Sequence, residues 1–504
     1  MYPYPSVECF ELKKRLLIVF FAALPLTGWA QDSLSVGART AARLNPLSGE
    51  AQTLLYNAAP SFTQVDAGYL LKAEDQAFLP QEGRGLGEFF VKADARHRLN
   101  RNTTVSGGAS YRRGVKRGVF MNTSSDWELL YPYHTADTVG GDLQKEQYSF
   151  NGAYVHRMGR WFVGGALDFR ALHEYRSVDP RPRNITSDLN GSLTAGLEMG
   201  SHALSARLLL GKYHQSQDIE FIDPRGHNTS ILHMTGLGQH YGRFSGSGSS
   251  TNARFRGLTA GAALCWEPLA GEGVFAQAGY TLHRYIRHIK NQNEAPMSRL
   301  YVHEVAASGG WKNGSRLYRG TVLYEYRRGL EAVLDVKGAY QSLTDLPLYG
   351  QHRVSARADA ILNFAGASAL WSLRPQVGAE TLQNANLNPY RSLSLTVADA
   401  SVSASRLSRS GKWVLLLEGA LDGHFTLAKK LFLPSEKTDP TLLGIYSALY
   451  GRWADHWGTL RLGTSLTREL NAGIALNFSL QAEGRLYATG HRMGAVTASL
   501  GLIF

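Results

Sequence analysis

Long segments of alternating apolar and polar side chains predict an all-β protein: a closed antiparallel β-barrel that crosses a membrane on its strands. Three observations carry the prediction. The alternation recurs through most of the chain. Past the amino terminus no stretch approaches the roughly 18 consecutive apolar residues of a spanning helix, and mean hydropathy is slightly negative. The last ten residues, AVTASLGLIF, place Val496, Ala498, Leu500, Leu502 and Phe504 on one face and small, mostly polar residues on the other. Strands satisfy a membrane only if they close, because unpaired amides in hydrocarbon each cost several kcal/mol, roughly.

The chain opens with Lys13, Lys14 and Arg15 ahead of an apolar run from Leu16 to Leu26, followed by small Gly28 and Ala30. This order reads as an export signal over residues 1–30, cleaved after Ala30. Residues 31–65 alternate poorly and carry Asn45-Pro46 and Ala59-Pro60. They are expected to form a periplasmic lead-in or a plug segment within the lumen. The barrel is expected over 66–504. Of the chain's two cysteines, Cys9 precedes the basic and apolar core of the signal and Cys265 would stand alone after cleavage, so no disulfide framework is expected.

Four segments show the strand pattern clearly. Over 161–175, Trp161, Val163, Leu167, Phe169 and Tyr175 oppose Gly164, Asp168, Arg170 and Glu174. Over 188–200, Leu189, Leu193, Ala195, Leu197 and Met199 oppose Asn190, Ser192, Thr194 and Glu198. Over 274–289, Val274, Ala276, Tyr280, Leu282 and Ile286 oppose Gln277, Thr281, His283 and Arg287. Over 473–487, Ile474, Leu476, Phe478, Leu480 and Leu486 oppose Asn477, Ser479, Gln481, Glu483 and Arg485. At about 12 to 16 residues these exceed ordinary globular strands and suffice to cross a bilayer at a tilt. Aromatics near segment ends, among them Tyr148, Tyr154, Trp161, Tyr175, Trp311, Tyr318, Trp453 and Trp457, are placed for interfacial girdles.

Short turn signals at 99–102, 158–160, 200–202, 312–315 and 470–473 alternate with longer connections at 116–146, 177–187 and 219–251. With a periplasmic carboxyl terminus, the short turns count back to the periplasmic side and the long connections to the outside. Residues 327–331 read either as a tight external turn or as the middle of one strand. Residues 428–440 fall on the periplasmic side by the same count, where so long a connection is unusual. The strand number is an even value of about 16 to 20, as such barrels require.

The closing stretch resembles the terminal strand of Gram-negative outer-membrane β-barrels. In that family a final aromatic with apolar residues at alternate positions is read by the barrel assembly machinery; carried over, the signal is Val496, Leu500, Leu502 and Phe504. The resemblance implies the outer membrane as location, with outer-membrane lipid and lipopolysaccharide, the assembly machinery and a transporter partner as contacts. Large TonB-dependent receptors are similar in the closing strand, but the sequence before the first strand is too short for their globular plug.

Inward faces carry Asp168, Arg170, Glu174, Glu198, Arg461, Gln481, Glu483 and Arg485, mixed in sign. They would either line a wet pore or pair with one another. Trp127, Tyr131 and Tyr133, with Pro132, lie in a long connection and would suit ligand or partner binding if displayed, or an interfacial girdle at the loop's base. His214, His227, His233 and His240, among Asp218, Glu220 and Asp223, match no short metal motif, so neither metal nor cofactor is expected. The glycine-rich runs at 83–87 and 246–250 precede no helical pattern and read as turns. No nucleophile motif marks an enzyme. The net charge of +12 suits anionic headgroups better than nucleic acid in an exported chain. The expected function is a channel or accessory transport barrel for a small polar solute, nutrient or metal chelate. The alternatives are a non-conducting barrel displaying loops for adhesion or partner binding and, third, an outer-membrane hydrolase.

Overall fold

The first and last strands find each other: Phe504 donates its amide to the Thr63 carbonyl at 2.8 Å, and Thr63 donates to the Phe504 carbonyl at 3.0 Å. From there the two strands run antiparallel in register from Gln64 opposite Ile503 to Glu74 opposite Met493. That pairing closes an 18-stranded antiparallel barrel in which every other strand pairs with its sequence neighbours. The computed structural model describes residues 61–504 except 223–230, 247–250, 270, 291, 336–339, 367–368, 435–438 and 472. The expected signal, and all but the last few residues of the expected lead-in, therefore lie outside the described residues.

In chain order the barrel strands are β1 (Phe62–Glu74), β2 (Gly85–Asn100), β3 (Thr103–Val119), β4 (Gly141–Met158), β5 (Trp161–Tyr175) and β6 (Arg181–Met199). There follow β7 (His202–Glu220), β8 (Ala253–Pro268), β9 (Gly273–Ile289), β10 (Ala295–Lys312), β11 (Arg316–Leu334) and β12 (Ser342–Ala365). The wall is completed by β13 (Ala369–Leu387), β14 (Tyr390–Ser410), β15 (Trp413–Phe432), β16 (Trp457–Asn471), β17 (Ile474–Tyr487) and β18 (Arg492–Ile503). One substantial helix, α1 (Pro440–Trp453), lies between β15 and β16. No described helix is long and apolar enough to cross a membrane.

Period-two alternation decides which side chains meet hydrocarbon. Leu193, Leu208, Leu210, Leu258 and Leu264 point outward and are 59–70% exposed. Trp161, Trp311, Trp371 and Trp413 form an outward girdle beside the short turns, 41–57% exposed. Burying such a surface only in part would be unfavourable in water, and a bilayer supplies the missing apolar phase. Short connections such as 159–160 and 200–201 collect at one end; there Gly159 and Gly200 take φ values of +64° and +63°, which residues with a Cβ adopt at a cost. The described residues of the longer connections 75–84, 120–140, 221–252 and 433–456 lie at the other end.

Several expectations change at this point. Of the two readings of residues 327–331 the strand holds: they lie inside β11 and form no turn. The tight connection at 388–389 belongs to the long-loop end, and so does the stretch after β15, which corrects the placement of residues 428–440 at the short-turn end. Short connections are thus not confined to one end. Trp453 sits on α1. Trp457 turns inward, where Arg485 stacks over its ring at 4.1 Å and His424 stacks on it at 4.9 Å.

Leu193→Arg would place a charge on the outward face, a few residues from the short-turn girdle. It is expected to cost about 2–4 kcal/mol in denaturant unfolding from lipid vesicles, whereas Ser192→Arg, pointing inward, is expected to lie within about 1 kcal/mol of wild type. Equal losses at the two positions would contradict the assigned faces.

Candidate functional site

The lumen is filled in its long-loop half by its own connections. After β3 the chain turns inward, and Met121, Asn122, Thr123, Ser124, His134, Thr135, Ala136 and Asp137 are all at most 1% exposed. Within 221–252, residues Leu232–Gly236 form a short strand that pairs with Thr135–Ala136 on one edge and Gln239–His240 on the other. A three-stranded sheet thus hangs inside the barrel.

Polar side chains of the wall hold this sheet by its backbone. Asn184 on β6 and Gln217 on β7 both donate to the Thr123 carbonyl, at 2.7 and 2.6 Å. Arg287 on β9 donates to the carbonyls of His134 and Met234 at 3.3 and 3.1 Å, with its guanidinium over the Tyr133 ring. Asn386 on β13 reaches the Thr235 and Gly236 carbonyls, and Arg391 on β14 the Leu237 carbonyl. These donors add side-chain partners to backbone carbonyls buried inside the barrel, where water cannot supply them. Above them, α1 is capped by Asp439, which accepts from the Thr441 and Leu442 amides, and it lays Leu442, Tyr446 and Leu449 against Met121, Ala136, Leu232 and Met234.

Trp127, Tyr131 and Tyr133, expected as displayed aromatics or a girdle, are instead buried inside the barrel at 6%, 8% and 3% exposure. The reason is the inward course of their connection. Trp127 donates its indole N–H to Glu82 at 2.7 Å. Tyr131 accepts from Asn384, and its carbonyl accepts from Arg327. Tyr133 packs against Gly329, where a Cβ would come within 2.3 Å of the phenol oxygen.

The inward residues named from sequence fall into distinct places. Arg170 binds Asp126 of the in-folded connection through both η nitrogens, at 2.9 and 2.7 Å, while Tyr213 donates to the same carboxylate. Glu174 pairs with Lys116 at 3.2 Å. Asp168 faces the lumen exposed. Glu198 pairs with Arg157 near the short-turn end. Arg461 grips Asp422 through its ε and η nitrogens. Arg485 lies 3.4 Å from Glu483. Pairing along one wall, rather than across the lumen, is the rule.

A cavity of about 480 Å³ opens between the in-folded connection and the wall. Lys116, Lys145, Arg170, Arg327 and Arg353 line it together with Glu82, Asp126, Glu128, Glu174 and Glu325, so its formal charge balances. A second cavity of about 340 Å³ lies on the β13–β18 wall, where Arg374, Glu418, Arg461, Gln481 and Glu483 meet Ser403, Ser405 and Thr497. Sequence reading missed Asp126, Glu325, Arg327 and Arg353. Glu325 and Arg327 share the inward parity of β11, a signal hidden by the turn-like look of 327–331.

His214 is on the outward face of β7, and His233 is buried within the hanging sheet. His227 and Asp223 lie outside the described residues. Among the described residues no group of three or more His, Cys, Asp or Glu is arranged to hold a metal ion.

His134 and Asp137 make the filled state testable. Burial, and then the Arg287 charge, holds the His134 imidazole down at about 3, against its ordinary 6.5. Seating the sheet is therefore fully favoured above pH 6.5 and loses up to about 1.4 kcal/mol per pH unit below it, as the released form takes the proton. Once the intrinsic slowing of amide exchange with falling pH is divided out, hydrogen-exchange protection at 121–137 is expected to fall up to about tenfold per unit between pH 6.5 and 4.5, and His134→Gln is expected to flatten that slope. Asp137 and Arg176 form an ion pair at 2.8 Å with side chains 0% and 1% exposed. Asp137→Asn leaves that guanidinium buried without its counter-charge and is expected to cost about 3–5 kcal/mol, read as protease sensitivity of the same connection.

The barrel is similar in shape to solved receptor structures, at low identity. The ferric preacinetobactin receptor BauA of Acinetobacter baumannii matches at 9% identity and a TM-score of 0.40, over 88% of this chain and 80% of that one. A mutant of the ferric enterobactin receptor of Pseudomonas aeruginosa in complex with enterobactin matches at 8% and 0.39, over 88% and 81%. The alcaligin outer-membrane receptor FauA of Bordetella pertussis matches at 9% and 0.36, over 87% and 75%. No curated protein matches the chain. One family model does, across residues 51–504 and so through the whole barrel, and the chain belongs to that family, the family of unknown function DUF6850.

Proposed function

We propose that this is an outer-membrane transport barrel whose outer half is closed at rest by its own loops and which passes a small polar solute, a nutrient or a metal chelate, when those loops are released. The long-loop end faces outside, and the short turns face the periplasm. The observation that carries the reading is the nature of the filling. Asn184, Gln217, Arg287, Asn386 and Arg391 hold backbone carbonyls through hydrogen bonds that water can replace. A permanently dead lumen is more economically filled with apolar side chains. Beneath the sheet, the charge-balanced cavity suits a neutral or zwitterionic solute better than a strongly charged one.

An 18-stranded wall is wide enough for an aqueous channel once emptied. Wild type in planar bilayers is therefore expected to rest closed, and a barrel in which short Gly-Ser linkers replace residues 121–138, 231–246 and 440–453 is expected to show discrete current steps. Inserted barrels that stay silent after the replacement would sink the transport reading. They would instead support a non-conducting barrel that displays its outer loops. No catalytic step is part of this proposal.

A further inference from the structure

Outward-facing residues near the long-loop end form rows across neighbouring strands. One row runs Lys212, Leu258, Arg284, Tyr301 and Arg328 on β7 to β11, each residue directly opposite the next. Lys212, Arg284 and Arg328 are exposed, and no carboxylate stands in the row. Arg284 lies over the Tyr301 ring at 6.0 Å. Alternate strands carry the cations, so neighbouring charges are about 10 Å apart at the strand level.

The row one step toward the long loops adds His214, Arg256 and Arg299 on the same face. Here the acids stand close: Glu294 pairs with Arg254 and Arg256, and Asp345 with Arg299. The row one step toward the short turns is Leu210, Ala260, Leu282, His303, Tyr326 and His352. In it the rings of His303, Tyr326 and His352 stack at 6.0 and 4.7 Å. Tyr280 and Tyr324 share hydrogen bonds with His303 and His352.

Amphipathic rings of this kind sit where hydrocarbon gives way to headgroups. The Lys212–Arg284–Arg328 row is the next layer out, at the height of lipid phosphates. Guanidinium and ammonium groups spread over one face, with apolar leucines just below, match a phosphorylated headgroup whose acyl chains run down the wall.

We propose that Lys212, Arg284 and Arg328 form a binding site on the outer wall of the barrel for a phosphate-bearing lipid of the outer leaflet. The site rests on the outer-membrane reading but not on transport. The lipid phosphates bridge β7, β9 and β11, the arc of wall that also anchors the in-folded connection from inside through Tyr213, Arg287 and Arg327.

The test uses the full mature chain in detergent micelles, with a bisphosphorylated disaccharide lipid as the probe. Bound lipid is counted by native mass spectrometry, and folding is checked by the mobility of unheated samples on gels. K212Q/R284Q/R328Q is expected to bind the lipid at least tenfold more weakly than wild type. R406Q/R468Q, which removes outward cations at the short-turn end, is expected to stay within twofold. Inorganic phosphate at the same concentration is expected not to compete. A folded triple variant with wild-type affinity, or inorganic phosphate binding as tightly as the lipid, would overturn the site. Wild type that needs no detergent and shows no heat-dependent mobility would instead overturn the outer-membrane reading beneath it.

Discussion

A sheet in hydrocarbon has no tolerable edge, and this constraint governs the architecture. Each strand supplies a row of amides and carbonyls to its neighbours, and only pairing of the last strand with the first leaves none exposed to lipid. Here that junction is the ladder between β1 and β18, finished by the reciprocal hydrogen bonds of Thr63 and Phe504. Closure then divides every strand into two chemistries. Outward positions meet lipid and are filled by leucine, valine and aromatic side chains. Inward positions carry arginine, glutamate, asparagine and serine.

The enclosed space sets a second problem. Eighteen strands surround more volume than wall side chains can fill, and the chain fills half of it with its own loops. A loop drawn indoors brings backbone groups that water would otherwise satisfy, so the wall must provide partners. Asn184, Gln217, Arg287, Asn386 and Arg391 do so from different strands, each aimed at a carbonyl of the hanging sheet or of the connection that leads into it. The same polar residues that look like pore lining in the sequence are therefore largely fasteners in the outer half. Elsewhere on the wall, Arg461, Gln481 and Asp168 remain exposed to the lumen.

That division explains which readings of the sequence held. The faces of β5, β6, β9 and β17 were legible because period-two alternation is a local property, fixed by the geometry of the extended chain. The even strand number was legible as a range because antiparallel closure demands it. Less legible was β11: Arg327, Gly329 and Glu331 together resemble a turn, although they form part of a long ladder. Trp457 was misplaced because a single aromatic at a strand end carries no sign of which face it takes. The course of the connection after β3 had no local signal at all. Trp127, Tyr131 and Tyr133 would be equally at home on a displayed loop, and only Glu82, Arg327, Asn384 and Gly329, remote in sequence, receive them inside.

By itself, the sequence determined the solvent on each side of the wall: the spacing of apolar residues sorts them to one face of each strand, and the length of the alternation matches a bilayer. It also determined the closing strand, whose apolar face runs from Val496 to Phe504. The tertiary structure decided what occupies the lumen and which cations share a level on the outer wall. Those outcomes depend on register between strands far apart in the chain. Lys212 and Arg328 come to one row only once β7 to β11 are aligned, and Arg170 meets Asp126 only once the barrel has closed around the loop.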